Sequence, residues 1–229
     1  MPHDPQPPMA VFDLDKTITA CDTYRIFLRH VLWRRPARWG RLPWLLGAVL
    51  LFKSGHRDNG WLKGQFLRHV AGGVPRSAMQ HWIEATVEEL VRDWLKPGAV
   101  QELARHRHAG CRVILATASL DLYVVPLAHR LGIDEVVCTR TDWPARDDSD
   151  NPAMFRGVLT SPNCYGAEKL VVLEQYLGKK LATCQAHVYS DHQADLSILS
   201  VAGRPFAVDP TRTLQKIARS KGWSVVSWG

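Results

Sequence analysis

Short apolar runs alternate with amphipathic stretches along the second half of the chain. The apolar runs predict strands at residues 111–117, 135–139, 186–190, 205–208 and 223–228. Apolar positions at helical spacing predict helices at residues 99–108, 120–131, 167–177, 194–201 and 211–220. Residues 10–12 form an earlier apolar run, and residues 154–160 are expected to add an antiparallel strand. This alternation predicts an α/β fold, a Rossmann-like doubly wound parallel sheet.

The stretch from residue 20 to residue 96 has an all-helical pattern. It contains six of the nine tryptophans, so we expect it to pack a small core of its own. Residues 42–52 carry no charge, and this run is too short to span a bilayer, which needs about 20 residues. The pattern favours a buried helix; a segment lying in a membrane interface is the alternative, because arginines and tryptophans flank it. We therefore predict an α/β core domain at 9–19 and 97–229 and an inserted helical domain at 20–96.

Composition and charge narrow the choice of compartment and partners. The formal charge is +7, and no acidic residue stands between Asp22 and Asp58, so an anion is the expected partner. No nucleic-acid-binding module accompanies this basic stretch, and nucleic acid is not expected. Five scattered cysteines without a CxxC pair, and an N-terminal segment without a signal pattern, predict a cytoplasmic protein. A peripheral position on the inner face of the membrane is the alternative.

The first candidate chemistry follows the run at residues 10–12. Asp13 and Asp15 come where this strand ends, and ligands of open parallel sheets bind at the carboxyl ends of strands. One acid could attack phosphorus as a nucleophile while the other handles the proton. The alternative is a surface turn in which the aspartates cap the next helix.

Two further groups of candidate site residues lie at the end of a later strand and at the start of a later helix. Thr117, Ala118 and Ser119 follow a strand, where hydroxyls and backbone amides could cradle a phosphate, although Ser119 could instead cap the next helix. Lys169 lies in the first turn of its predicted helix, where a cation opposes the helix dipole. A lysine directed at a phosphoryl group would explain this position, and an exposed lysine is the alternative.

The last group of candidate site residues is a second pair of acids, Asp191 and Asp195. Asp191 ends the strand at residues 186–190, and Asp195 follows one helical turn later. No cation stands between them in sequence, so they would repel each other unless a metal is near. Hard carboxylate oxygens suit Mg²⁺, which is the predicted cofactor. Helix capping by Asp195 is the alternative.

Taken in order, Asp13-x-Asp15-x-Thr17, Thr117, Lys169 and Asp191-xxx-Asp195 resemble the four motifs of the haloacid-dehalogenase-like (HAD) phosphohydrolases. The resemblance covers residues 10–209, and the helical insert looks like the family's type 1 cap, as in subfamily IB. It implies that Asp13 forms an aspartyl-phosphate and that Asp15 protonates the leaving alcohol and later activates water. It further implies that Asp13, the Asp15 carbonyl and Asp191 bind Mg²⁺ with support from Asp195.

The resemblance also bears on the substrate. It implies that Thr117 and Lys169 hold phosphoryl oxygens, and a small phosphorylated metabolite is the expected substrate. Asp22 stands where phosphoserine phosphatases carry a cap glutamate, and Arg57 is a candidate for a substrate carboxylate. The basic, tryptophan-rich insert and the GAEK sequence are similar to phosphatidylglycerophosphate phosphatases, so a lipid phosphate handled at an anionic membrane through 42–52 is an alternative. A non-catalytic anion-binding module is another, and the sequence leaves the oligomeric state open.

Overall fold

The computed structural model describes residues 8–144 and 153–229 and contains eight strands within them. Two stretches lie outside the described residues: residues 1–7 of the N-terminal segment, and residues 145–152 of the stretch 142–152, whose polar sequence with two prolines predicts a loop. In chain order the strands are β1 Met9–Phe12, β2 Val74–Pro75, β3 Arg112–Leu120, β4 Glu135–Thr139, β5 Met154–Phe155, β6 His187–Ser190, β7 Arg204–Val208 and β8 Ser224–Val226.

The helices of the described residues number nine. They are α1 Thr23–Arg34, α2 Leu42–Lys53, α3 Asn59–Phe66, α4 Arg76–Glu89, α5 Pro97–His108, α6 Asp121–Arg130, α7 Ala167–Leu177, α8 Leu196–Val201 and α9 Arg212–Ser220. Short π-type turns follow β1, α3 and α4, at Leu14–Ile18, Leu67–Ala71 and Leu90–Trp94. Four of the helices, α1 to α4, therefore stand between β1 and α5.

Six of the strands form one parallel sheet in the order β4-β3-β1-β6-β7-β8. Its two faces are both buried, because alternate residues of β1 belong to different apolar clusters. Ala10 and Phe12 lie in one cluster, and Met9 and Val11 lie in the other. The predicted α/β class with a doubly wound parallel sheet is confirmed.

The helical stretch does not pack a separate core, contrary to the prediction. Its buried residues Phe27, Leu67 and Met79 belong to the same cluster as Phe12 and Tyr123 of the α/β part. The rings of Phe27 and Tyr123 stack with their centroids 5.4 Å apart. This stacking joins α1 to α6, so the apolar interior of the helical stretch is continuous with that of the α/β part.

Helix α2 forms where a helix was predicted, but the prediction that it is buried is wrong. Only Leu45 and Ala48 of this helix are buried, whereas Trp44, Leu46 and Leu50 are each about two-thirds exposed. Its length and hydropathy do not suffice to cross a membrane, and the same holds for every other helix in the described residues.

The predicted strand at residues 154–160 is shorter than expected and lies outside the main sheet. Met154–Phe155 pairs antiparallel with Val74–Pro75, and an isolated bridge joins Leu159 to Thr141. This small ribbon ties the segment before α7 to the segment before α4. It therefore connects the α/β part to the helical stretch.

Candidate active site

The carboxyl edge of the parallel sheet carries a cleft of about 290 Å³, here called the carboxylate cleft. Asp13 directly follows β1, Ala118 lies near the end of β3, and Asp191 directly follows β6, so three neighbouring strands deliver residues to one edge. The residues that line the cleft are Asp13, Asp15, Lys16, Asp22, Asn59, Lys63, Ala118, Tyr165, Lys169, Asp191, His192, Ala194 and Asp195.

The turn Leu14–Ile18, directly after β1 and Asp13, borders the cleft. Lys16 has φ of 59°, a left-handed conformation that is uncommon outside glycine, and its carbonyl accepts a hydrogen bond from the buried Lys96 ammonium at 2.6 Å. Lys96 is also paired with Asp209 at 2.8 Å, which anchors it. The turn therefore places Thr17 between the strand ends, where its hydroxyl accepts from the Asp191 N–H at 3.0 Å. Strained backbone of this kind persists where the surroundings hold it, often at functional sites.

Lys169 forms the central ion pairs of the site. Its ammonium donates to Asp13 Oδ1 and to Asp195 Oδ2, both at 2.8 Å, and all three side chains are almost completely buried. Ser190 also donates to Asp195 Oδ2, at 2.7 Å. The sequence alternative of an exposed lysine is therefore wrong, and Asp195 holds the ammonium rather than merely capping a helix.

Burial shapes the ionisation of these groups. It raises the pKa of Asp13 to about 8; Lys169 opposes this rise, while Asp195 and Asp15 add to it. Burial alone would lower the pKa of Lys169, but Asp13 and Asp195 keep it well above its usual range. Burial likewise raises the pKa of Asp191, with His192 opposing. The cleft therefore favours added positive charge near Asp13 and Asp191.

Asp15 is held apart from the Lys169 pair. Its Oδ1 accepts from the Thr23 N–H at 2.6 Å and from the Thr23 hydroxyl at 2.7 Å, and its Oδ2 accepts from the Ser119 hydroxyl at 2.7 Å. Thr23 begins α1 and Ser119 lies at the end of β3. The two aspartates of the first motif therefore have different partners, as different roles require.

The predicted phosphate cradle is only partly at the cleft surface. Ala118 lines the cleft, but the fully buried Thr117 hydroxyl accepts from the Ser119 N–H at 3.1 Å. Ser119 does not cap α6, since it binds Asp15 instead, and the capping alternative is wrong. The structure brings Thr117 beneath the site and Ser119 beside the second acid.

The two predicted substrate residues of the insert have different positions. Asp22 lines the cleft and caps α1 by accepting from the Arg25 N–H at 3.3 Å. Burial and the neighbouring Asp15 raise its pKa. Arg57 is exposed and outside the cleft lining, with its guanidinium 5.4 Å from the Trp61 ring centroid. The structure does not bring Arg57 to the site, and its guanidinium lies over the Trp61 ring instead.

Sequence reasoning missed a cation in the cleft that the insert supplies. Lys63, on α3, donates to the Ala118 carbonyl at 2.5 Å and to Asn163 Oδ1 at 3.0 Å. Burial lowers its pKa to about 8, and Asp15 and Asp22 oppose this shift. Asn59 lies one helical turn before Lys63, so both face the cleft. The sequence offered one indication of this pair, because Asn59 and Lys63 are four residues apart in the helix that begins after the capping Asp58.

The donors of the cleft fit a hard divalent cation. Five aspartates and three lysines line it, so acidic side chains exceed basic ones by two. The Thr17 hydroxyl lies 3.4 Å from both Asp13 Oδ2 and Asp191 Oδ1, and these two carboxylates therefore border the same space. Over 8–144 and 153–229 no three His, Cys, Asp or Glu side chains form a metal-binding group. The Asp13 and Asp191 carboxylates are the two acidic groups that this space would offer to a cation.

The acids and the buried lysine lie at the carboxyl edge of the parallel sheet, which is where open α/β sheets bind their ligands. The model of the haloacid dehalogenase-like hydrolase family matches residues 10–200. The chain belongs to this family, which confirms the resemblance, and it is a hydrolase of the phosphatase type.

Two relatives cover most of the chain. The protein CicA of Caulobacter vibrioides is 30% identical over 202 residues, which are 88% of this chain and 85% of that protein. A histidinol-phosphatase of Neisseria meningitidis serogroup C is 29% identical over 231 residues, covering 96% of this chain and 98% of the relative. Each alignment covers at least 88% of this chain and therefore includes most of the insert.

Two solved structures share the fold. A protein of unknown function from Bordetella pertussis Tohama I has a TM-score of 0.80 at 21% identity, covering 97% of this chain and 99% of that one. A substrate-bound phosphoserine phosphatase has a TM-score of 0.62 at 14% identity, covering 99% and 95%. At these identities the similarity concerns the fold alone.

The Lys169 ion pairs predict a measurable coupling. Lys169→Met leaves two buried carboxylates without their cation and should lower the free energy of unfolding by about 3–5 kcal/mol. Adding Asp195→Asn should recover part of that loss, because one buried charge is removed. Urea unfolding in EDTA measures both. Lys180→Met, which breaks an exposed pair with Glu174, should cost less than about 1 kcal/mol. Additive losses from Lys169→Met and Asp195→Asn would contradict the bridge.

Proposed function

We propose that this protein is a Mg²⁺-dependent phosphomonoester hydrolase that acts through an aspartyl-phosphate on a small phosphorylated metabolite. The observation that carries the proposal is the separation of the two motif aspartates. Asp13 lies against Lys169 at the strand end, whereas Asp15 is held by Thr23 and Ser119 on another side of the cleft. A nucleophile and a proton carrier need this difference in partners.

The proposed reaction has two steps. An Asp13 carboxylate oxygen attacks the phosphorus, and the bond to the leaving alcohol breaks as the alcohol oxygen takes a proton from Asp15. Asp15, now a carboxylate, removes a proton from water, whose oxygen attacks the phosphorus and releases Asp13. Lys169 offsets charge on the phosphoryl oxygens throughout. The products are the alcohol and inorganic phosphate.

Mg²⁺ would be held by the Asp13 and Asp191 carboxylates and the Asp15 carbonyl. When bound it would reduce the repulsion between an anionic nucleophile and an anionic phosphate. The raised pKa of Asp13 supports this, because burial and the neighbouring acids together outweigh the effect of Lys169 on that carboxylate. Lys169 and Ser190 both donate to Asp195 Oδ2. These bonds would hold the Asp195 carboxylate in position beside the cation site.

The division into domains is part of the same proposal. We assign 9–19 and 97–229 to the core and 20–96 to a type 1 cap. Asn59 and Lys63 of α3 line the cleft together with core residues, which is the position expected of a cap. Cap and core share one apolar cluster, so the cap is seated on the core rather than tethered to it.

The side chains of the cleft favour a substrate that carries an amine, a carboxylate or both beside the phosphate. Asp22 would bind an amine of the substrate. Lys63 would bind a carboxylate of the substrate, for which Arg57 was the candidate in the sequence. A phosphoserine-like compound uses both contacts, whereas an amino-alcohol phosphate uses only Asp22. The five cysteines are all unpaired, in keeping with the proposed cytoplasmic location.

A lipid phosphate is the second candidate substrate, supported by the exposed apolar face of α2. This candidate keeps the chemistry and changes only the leaving group. A substrate panel that contains phosphoserine, amino-alcohol phosphates and phosphatidylglycerophosphate distinguishes the two.

The nucleophile assignment predicts the effect of Asp13→Asn. The amide cannot attack phosphorus, so phosphate release should fall by at least about a thousandfold. Asp134→Asn, an exposed change of the same kind directly before β4, should leave the rate unchanged. Phosphate release is measured on the panel with Mg²⁺ and with EDTA, and EDTA should abolish the activity reversibly. Activity that persists in Asp13→Asn, or in EDTA, would refute the mechanism.

The position of Lys63 predicts substrate discrimination. Lys63→Met should raise KM for a carboxylate-bearing phosphomonoester about tenfold while changing kcat less, since binding rather than chemistry is lost. In the wild type, KM for that substrate should rise as the pH passes about 8, where the ammonium becomes neutral. Steady-state kinetics against Lys216→Met, an exposed control, measures this. Equal effects on a phosphomonoester without a carboxylate would contradict the assignment.

A further inference from the structure

Helix α2 exposes an apolar surface on one side of the insert, here called the α2 face and formed by Leu42, Trp44, Leu46, Leu50 and Leu51. Their exposed fractions run from 39% for Leu42 to 68% for Trp44. Single exposed apolar side chains are ordinary, but five on one helix of 12 residues are a concentration of the kind that marks an interaction site. Trp33 and Trp39, 70% and 49% exposed, lie on the preceding segment.

A basic cavity adjoins the α2 face. This arginine hollow has a volume of about 820 Å³, and Arg38, Arg41, Arg68, Arg156 and His69 contribute to its lining. No acidic side chain of the described residues lines it. Arg156 pairs with Asp142 outside the lining at 3.3 Å. Arg38 and Arg41 donate to the His69 carbonyl at 3.1 and 3.3 Å, which orients them without neutralising them.

Trp44 connects the two features. It lines the arginine hollow, and it also lines an apolar groove of about 500 Å³ between α2 and α3, whose walls include Leu50, Leu51 and Trp61. A cationic recess therefore opens beside an apolar recess on one surface. Anionic phospholipids have this arrangement, with a phosphate next to acyl chains, and a tryptophan between them suits the interfacial region of a bilayer.

We propose that the α2 face and the arginine hollow dock this protein onto an anionic phospholipid membrane. The side chains of the α2 face enter the interface between headgroups and acyl chains, and the arginines of the hollow contact lipid phosphates. The α2 face is separate from the carboxylate cleft, because Trp61 and Gln65 of α3 face α2 whereas Asn59 and Lys63 face the cleft.

Charge favours a membrane over a second copy of the chain. A symmetric dimer through this face would bring the same patch of both copies into one interface, so the basic side chains of both copies would share it. Burial and the neighbouring Arg35 and Arg41 already lower the pKa of Arg38, and a second set of arginines would add to that repulsion. An anionic lipid surface supplies the missing negative charge.

Co-sedimentation with vesicles tests the proposal, using phosphatidylcholine alone and phosphatidylcholine mixed with phosphatidylglycerol. The wild type should sediment with the mixed vesicles and remain in solution with phosphatidylcholine. Leu46→Glu with Leu50→Glu should weaken binding at least tenfold, and Arg41→Gln with Arg68→Gln should do the same. The matched controls are Val125→Glu with Val171→Glu, and Arg212→Gln with Arg219→Gln, which should bind as the wild type does. Circular dichroism checks that each variant is folded.

Three results would overturn the proposal. The first is absence of binding to the mixed vesicles, or binding that the controls lose as readily as the test variants. The second is a lipid-free dimer, seen by analytical ultracentrifugation, that Leu46→Glu with Leu50→Glu dissociates. The third is a gel shift with single-stranded RNA that depends on Arg41 and Arg68 but not on Leu46 and Leu50. The assay measures binding only, so its outcome is independent of whether the proposed phosphatase mechanism is correct.

Discussion

The buried ammonium of Lys169 is the constraint on which the site depends. Removing a lysine and two carboxylates from water costs several kcal/mol for each ion, and close pairing must offset that cost. Here Asp13 and Asp195 each lie 2.8 Å from the ammonium. These residues come from the end of β1, the start of α7 and the turn before α8, and the charges are compensated only when all three elements meet. Neighbouring positions of β1 and β6 in the sheet make that possible.

A second set of contacts links the helical insert to the same edge of the sheet. Asp15 is held by Thr23 at the start of α1 and by Ser119 at the end of β3. Phe27, one turn further along α1, stacks on Tyr123 of α6. The insert therefore helps to orient the second acid and does more than cover the cleft, so displacement of α1 would disturb the proposed proton carrier.

Strand ends were the part of the site that the sequence could predict. Asp13 and Asp191 follow apolar runs whose alternation with helices defines a parallel sheet, and the carboxyl edge of such a sheet gathers whatever ends its strands. Lys169 was predicted from its position in the first turn of a helix, where a cation is locally unfavourable. The contacts that depend on the fold could not be predicted in this way. Ser119 has hydroxyl chemistry compatible with a cradle, a cap or a carboxylate partner, and only the position of α1 decides among them. A charge-free run such as 42–52 has the same composition whether protein covers it or not, so the exposure of α2 was missed.

The most direct test of the central claim is to trap the covalent intermediate at Asp13. The enzyme is mixed with substrate, quenched during turnover and reduced with borohydride, which converts an aspartyl-phosphate to homoserine. Peptide mass spectrometry then locates the change. We expect homoserine at position 13 only, and only when substrate is present. Two results would contradict an aspartyl-phosphate at Asp13. The first is Asp13 that stays unmodified during turnover, although a chemically prepared acyl phosphate is reduced under the same conditions. The second is homoserine at Asp15 or Asp191.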